Sequence, residues 1–208
     1  RLGRNRRLIF FMKILKISCF VTFICIFFFN SSFAKNPTEF IKKLTTDASK
    51  ILASNLSKEE KQNQLKNIAS KSVDIRGIGF YTLGKYRKSL SDDQKKKYSK
   101  LFKSYFLKSF SSRLVEYTDP KIIVNSEEVL NEKYTIVKSK LLATSNRPEV
   151  AIDWRVYTKD PSKPLIRDLI IEGLSLARTQ REEFNSIITN NGGDISALFT
   201  SLKEFNNK

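Results

Sequence analysis

The residues able to do chemistry are few, and their types restrict what it could be. The chain of 208 residues has no histidine, and its two cysteines, Cys19 and Cys25, fall within the first 34 residues. The commonest general base, the commonest metal ligand and all thiol chemistry are therefore missing from the rest of the chain. Carboxylates remain, chiefly Asp153 in "EVAIDWRVYTK" and Asp168 and Glu172 in "PLIRDLIIEG". Two carboxylates divide acid and base work only where each is close enough to shift the other's proton affinity. Asp168 and Glu172 lie on one face of a strand-like segment, where ~3.3 Å per residue separates them by about 13 Å. Ion pairs with Arg155, Arg167 or Arg181 are the better expectation. Gly77, Gly79 and Gly84 match neither G-x-G-x-x-G nor P-loop spacing, so no phosphate cradle is expected. No catalytic residue, metal site or cofactor is expected, and the chain does not read as an enzyme.

The elements that carry these residues follow a leader. "KILKISCFVTFICIFFFNSSFA", residues 13–34, has a basic start, an apolar run from Ile17 to Phe29 and a small-residue end at Ala34, the pattern of a secretory signal peptide cleaved near Ala34. Met12, the only methionine, is expected to be the start, with the residues before it an upstream extension. The apolar run is shorter than the ~20 residues that span a bilayer. A soluble exported domain, residues 35–208, is therefore expected. It carries 32 basic and 21 acidic residues, a net charge of +11, and no cysteine, so an apolar core alone must hold it.

Within that domain the hydrophobic period changes twice. Asn36-Pro37, Ser57 with Glu60, and Ser91 with Gln94 are helix starts, each followed by apolar residues at helical spacing. "SDDQKKKYSKLFKSYFLKSFSSRLVEY" is the clearest helix. It places Tyr98, Phe102, Tyr105, Phe106, Phe110 and Tyr117 on one side. Four strand candidates follow, "KIIVNSEEV", "KYTIVKSKLLAT", "EVAIDWRVYTK" and "PLIRDLIIEG", joined by short polar turns that favour antiparallel hairpins. In "RDLIIEGLSLARTQREEF" the strand period ends at Gly173. A helix follows, with Thr179 and Glu182 in capping-box spacing, and a last helix begins after "NNGGD". The expectation is a single α+β domain: a curved antiparallel sheet of about four strands with helices packed on its apolar face.

That apolar face, with Ile152, Trp154, Val156, Leu169 and Ile171 opposite the aromatic helix, reads either as a core or as an incompletely closed cavity for a hydrocarbon ligand. The lysines alternate with acids, as in "LSKEEKQNQLKN". They read as solvated helix faces, with attraction to anionic lipid headgroups as the functional alternative and no nucleic-acid partner expected.

The order of these segments resembles the MlaC family, periplasmic phospholipid-binding components of the Mla intermembrane lipid transport system, also known as toluene-tolerance or ABC-transporter auxiliary proteins. The resemblance covers nearly all of residues 36–204. It is most specific where Asp168, Glu172-Gly173, Ser175, Arg181 and Phe184 fall in the order D-x-x-x-E-G-x-S-x-x-x-x-x-R-x-x-F, with support from Asp74, Leu83-Gly84, Phe102, Tyr105 and Tyr117. Where the family commonly has tryptophan, this chain has Arg87. The resemblance implies a monomeric periplasmic carrier with a phospholipid as cargo. It exchanges that cargo between an inner-membrane ABC transporter complex bearing MCE domains and an outer-membrane lipoprotein–porin complex, maintaining outer-membrane lipid asymmetry. The tail pocket would draw on Phe102, Phe106, Phe110, Ile152, Trp154, Val156, Leu169, Ile171 and Phe184. Glu172 and Arg181 would hold the corner at Gly173 by an ion pair or by backbone hydrogen bonds. The rival reading is a periplasmic chaperone or lipoprotein carrier that binds protein-attached acyl chains.

Overall fold

Side-chain caps start most of the helices. In the computed structural model, which describes residues 36–208, Asn36 accepts from the backbone N–H of Thr38 and Glu39 and Pro37 opens α1 (Pro37–Ala53). Each satisfies or removes a donor that the first turn would otherwise leave unpaired. Reciprocal capping boxes, Ser57 with Glu60 and Ser91 with Gln94, start α2 (Lys58–Ser72) and α4 (Asp92–Leu114). Between them lie α3 (Ile75–Thr82), capped by Asp74, and a 3-10 turn over Gly84–Lys88. The chain ends in α5 (Leu176–Asn190) and α6 (Ile195–Asn207), the latter capped by Asp194. The expected leader, residues 1–34 with its cleavage point at Ala34, lies outside the described residues.

The strands form an antiparallel meander in chain order: β1 (Ile122–Asn131), β2 (Tyr134–Leu141), β3 (Val150–Tyr157), β4 (Leu165–Ile171) and β5 (Leu174–Ser175). The sheet is unclosed, with β1 and β5 at its two edges. Register shifts at Val124/Ser126, Val129/Asn131 and Arg155/Val156 bend the strands, as extra residues in a ladder do. The last shift leaves Arg167 without a partner in register. Ile166 and Leu169 therefore stand opposite Val156 and Trp154 on the same face, although they are three positions apart. A strict period of two misses this.

Three expectations change. The sheet has a fifth strand of only two residues, because Glu172 and Gly173 make a hairpin turn so short that Leu174 pairs at once with Ile171. The helix after the turn, α5, starts earlier than the Thr179–Glu182 box. Ser175 is its cap, accepting from the Arg178 N–H, and the Thr179 hydroxyl donates back to the Ser175 carbonyl. Third, α4 packs on α2, α3 and α6 rather than as a layer against the sheet, whose helical cover comes mainly from α1, α3 and α5.

The interior consequently has two apolar groups. One is helical and centres on Leu83, Tyr98, Phe102, Phe184, Ile188 and Leu198. The other joins Ile41 of α1 to Val137, Val156 and Ile166 of the sheet. Val73, at the junction of α2 and α3, packs against both. That junction is tied to β4 by the Asp74 N–H donating to the Ile166 carbonyl and by an ion pair between Asp74 and Arg167.

Candidate functional site

The strand-to-helix corner is built around one buried carboxylate. Asp168 is 4% exposed and accepts from the Ser175 hydroxyl at 2.6 Å and from the Ala177 N–H at 3.0 Å. Arg155, its partner across the ladder, brings a guanidinium nitrogen to 3.8 Å. Asp168 thus sits at the N-terminus of α5, where unpaired N–H groups and the helix dipole both favour a negative charge. Glu172 and Gly173 each have positive φ, 48° and 80°, the conformation of a two-residue hairpin turn. Of the two ways in which Glu172 and Arg181 were expected to hold the corner, Glu172 uses backbone hydrogen bonds. Its carboxylate accepts from the Ala151 N–H, and its own N–H donates to the Ala151 carbonyl at 3.1 Å. Arg181 instead lies over the Tyr81 ring, 5.2 Å from its centroid.

The remaining motif positions are also structural. Asp74 accepts from the Gly77 N–H at 2.8 Å, and Gly84 has a φ of 55° that starts the 3-10 turn. The Tyr105 hydroxyl donates to Gln180 at 2.8 Å, tying α4 to α5, and burial pushes its pKa up. Tyr117 stacks under Arg147 at 4.3 Å.

The nine apolar candidates divide by exposure. Phe102, Val156 and Phe184 are buried, with Phe102 and Phe184 meeting edge to face at 6.1 Å in the helical group and Val156 in the sheet group. Phe106, Phe110, Ile152, Trp154, Leu169 and Ile171 are half-buried. Phe106 and Phe110 stack on each other at 5.8 Å along α4. On the sheet, Trp154 stands opposite Leu169 and Ile152 opposite Ile171, forming two cross-strand apolar rows. Sequence reasoning missed Ser139. This buried hydroxyl accepts from the Trp154 indole N–H at 2.9 Å, donates to the Ile152 carbonyl at 2.9 Å and so fixes the orientation of the ring. Its signal was a polar residue opposite Ile152 on the apolar side of a strand.

Each carboxylate of the corner is thus engaged in holding the fold. Among the described residues no three Asp, Glu, Cys or His side chains gather in a way that could hold a metal ion, and no helix is long and apolar enough to cross a membrane.

Comparison with known proteins agrees with this architecture. Residues 41–204 match the family described as MlaC protein. Among solved structures, the fold is similar to that of a phospholipid-binding protein from Ralstonia solanacearum in complex with a phospholipid. The TM-score is 0.69 at 19% identity, covering 82% of this chain and 97% of that one.

Proposed function

We propose, since the chain belongs to the MlaC family, that it is a periplasmic carrier that holds a phospholipid by its acyl chains and moves it between the inner and outer membranes. The observation that carries this reading is the set of large apolar side chains left half-buried: Ile152, Trp154, Leu169 and Ile171 on the sheet, Phe106 and Phe110 on α4. In a closed core such side chains would be covered. Phe106 packs against the helical group and Trp154 against the sheet group, and the two groups meet at Val73. Acyl chains entering between sheet and helices would cover them, with the buried Phe102, Val156 and Phe184 as the wall behind. A phospholipid bound in the related Ralstonia solanacearum protein supports the choice of cargo.

The energetics explain why a carrier suffices. Each CH₂ moved out of water is worth ~0.8 kcal/mol, so two long acyl chains cost on the order of 20 kcal/mol to expose. Replacing water by apolar side chains removes that cost without any reacting group. The lipid itself is cargo, and the partners are an inner-membrane ABC transporter complex with MCE domains and an outer-membrane lipoprotein–porin complex. Export by the leader places the domain between them, where it serves outer-membrane lipid asymmetry.

The test is lipid mass spectrometry and phosphorus analysis on the protein exported to the periplasm and purified without detergent. Diacyl phospholipid near one per protein is expected, with a severalfold loss in a folded Leu169→Asp variant, whose charge would lie against the chains. A folded wild-type protein that never holds lipid would end the proposal.

A further inference from the structure

One face of the molecule carries a basic cleft apart from the apolar candidates. The cleft, about 1100 Å³, is lined by residues of α3, the 3-10 turn, α4 and α5, and it contains none of the nine apolar candidates. Its aromatic residues are Phe80 and Tyr81. The guanidinium of Arg87 lies 4.9 Å from the Phe80 ring centroid, that of Arg76 lies 5.4 Å from the same ring, and Arg181 lies over Tyr81. Lys88, Lys95 and Lys96 add three more cations, against the single carboxylate of Asp92. Lys95 pairs with Asp92 and Lys96 with Asp93 in exposed contacts of little worth. Among the described residues, no ion pair involves Arg76, Arg87 or Arg181.

We propose that this cleft docks an acidic segment of a partner protein. A guanidinium stacked on a ring uses its flat face and keeps its N–H edges free for the two oxygens of a carboxylate. Stacking also restricts the side chain before binding, so less freedom is lost when a carboxylate arrives. The cleft is open along its length and large enough for a stretch of polypeptide. Arginine, tyrosine and phenylalanine are the residues enriched where proteins bind one another, and arginine clusters are a recurring reader of acidic motifs. A flat headgroup surface would engage protruding lysines, and would reach the aromatic residues of a concave cleft poorly. The proposal does not depend on the identity of the cargo.

The test is fluorescence anisotropy of the full chain, in low and high salt, with a short labelled peptide of alternating glutamate and leucine. Binding is expected, weakened roughly tenfold or more by the triple change Arg76→Gln, Arg87→Gln, Arg181→Gln. Removing the same charge elsewhere, at the exposed Lys50, Lys133 and Lys203, is expected to change affinity less than about twofold. Should the arginine variant fail to fold, Lys88→Gln, Lys95→Gln, Lys96→Gln carries the same expectation in weaker form. Equal losses in the cleft and control variants would reduce the effect to overall charge and overturn the proposal. So would absence of peptide binding, including the case in which phosphatidylglycerol vesicles bind through these arginines instead.

Discussion

Asp168 combines burial with a full set of partners: a hydroxyl, a backbone N–H and a guanidinium on one side chain that is 4% exposed. Removing it strands Arg155 and leaves the first turn of α5 with an open donor. Asp168→Ala is therefore expected to lower unfolding stability by about 3 kcal/mol, read from urea midpoints. A loss below about 0.5 kcal/mol would show that these contacts are not structural. Tyr98 gives a second test at this scale. It is fully buried, its hydroxyl shares a hydrogen bond of 2.8 Å with Thr82, and burial pushes its pKa up. Because the folded value lies above the unfolded one of about 10, its contribution is complete below that pH and is lost as pH rises beyond it. Stability is expected to fall more steeply above about pH 10 in the wild type than in Tyr98→Phe. The ion-pair expectation for Asp168 came straight from the nearby arginines. Its helix-capping role did not, because Ser175 and Ala177 come into reach only once the two-residue turn has formed.

At the scale of elements, close approach decides what local rules leave open. A Cβ built on Gly79 of α3 would lie 2.7 Å from the Phe102 ring, so α3 and α4 can be this close only with glycine there. Gly79→Ala gains ~1 kcal/mol of helix propensity but forces a packed ring to move, at a cost of about 1–3 kcal/mol. The net expectation is a loss of about 1 kcal/mol in thermal or urea unfolding, and a stabilised variant would contradict the packing. Caps at Asn36, Ser57, Ser91 and Asp194 were legible because each depends on residues a few positions apart. The meander was legible from its short polar turns. The start of α5 was not, since Ser175 and Thr179 both head plausible helices and only the pairing of β5 with β4 selects the earlier one. The placement of α4 also depends on long-range packing: its aromatic stripe announces a buried face without naming what covers it.

For the whole molecule, the interior divides into a helical and a sheet group that meet at Val73. The sequence supplied all nine apolar candidates but could not sort them. Phe102, Val156 and Phe184 close the two groups, and the other six remain half-buried between core and solvent. The basic cleft was also hidden. Arg76, Arg87 and Arg181 are dispersed in sequence, and Lys95 and Lys96 look like an ordinary charged helix face until α3, α4 and α5 meet. The central claim is that acyl chains lie against the sheet, and Trp154, the only tryptophan in the chain, is placed to report it. The most direct measurement is Trp154 emission from protein loaded with phospholipid brominated on its acyl chains, compared with the same lipid unbrominated. Strong quenching by the bromines is predicted. Unquenched emission from protein holding one brominated lipid per chain would place the tails elsewhere and contradict the account.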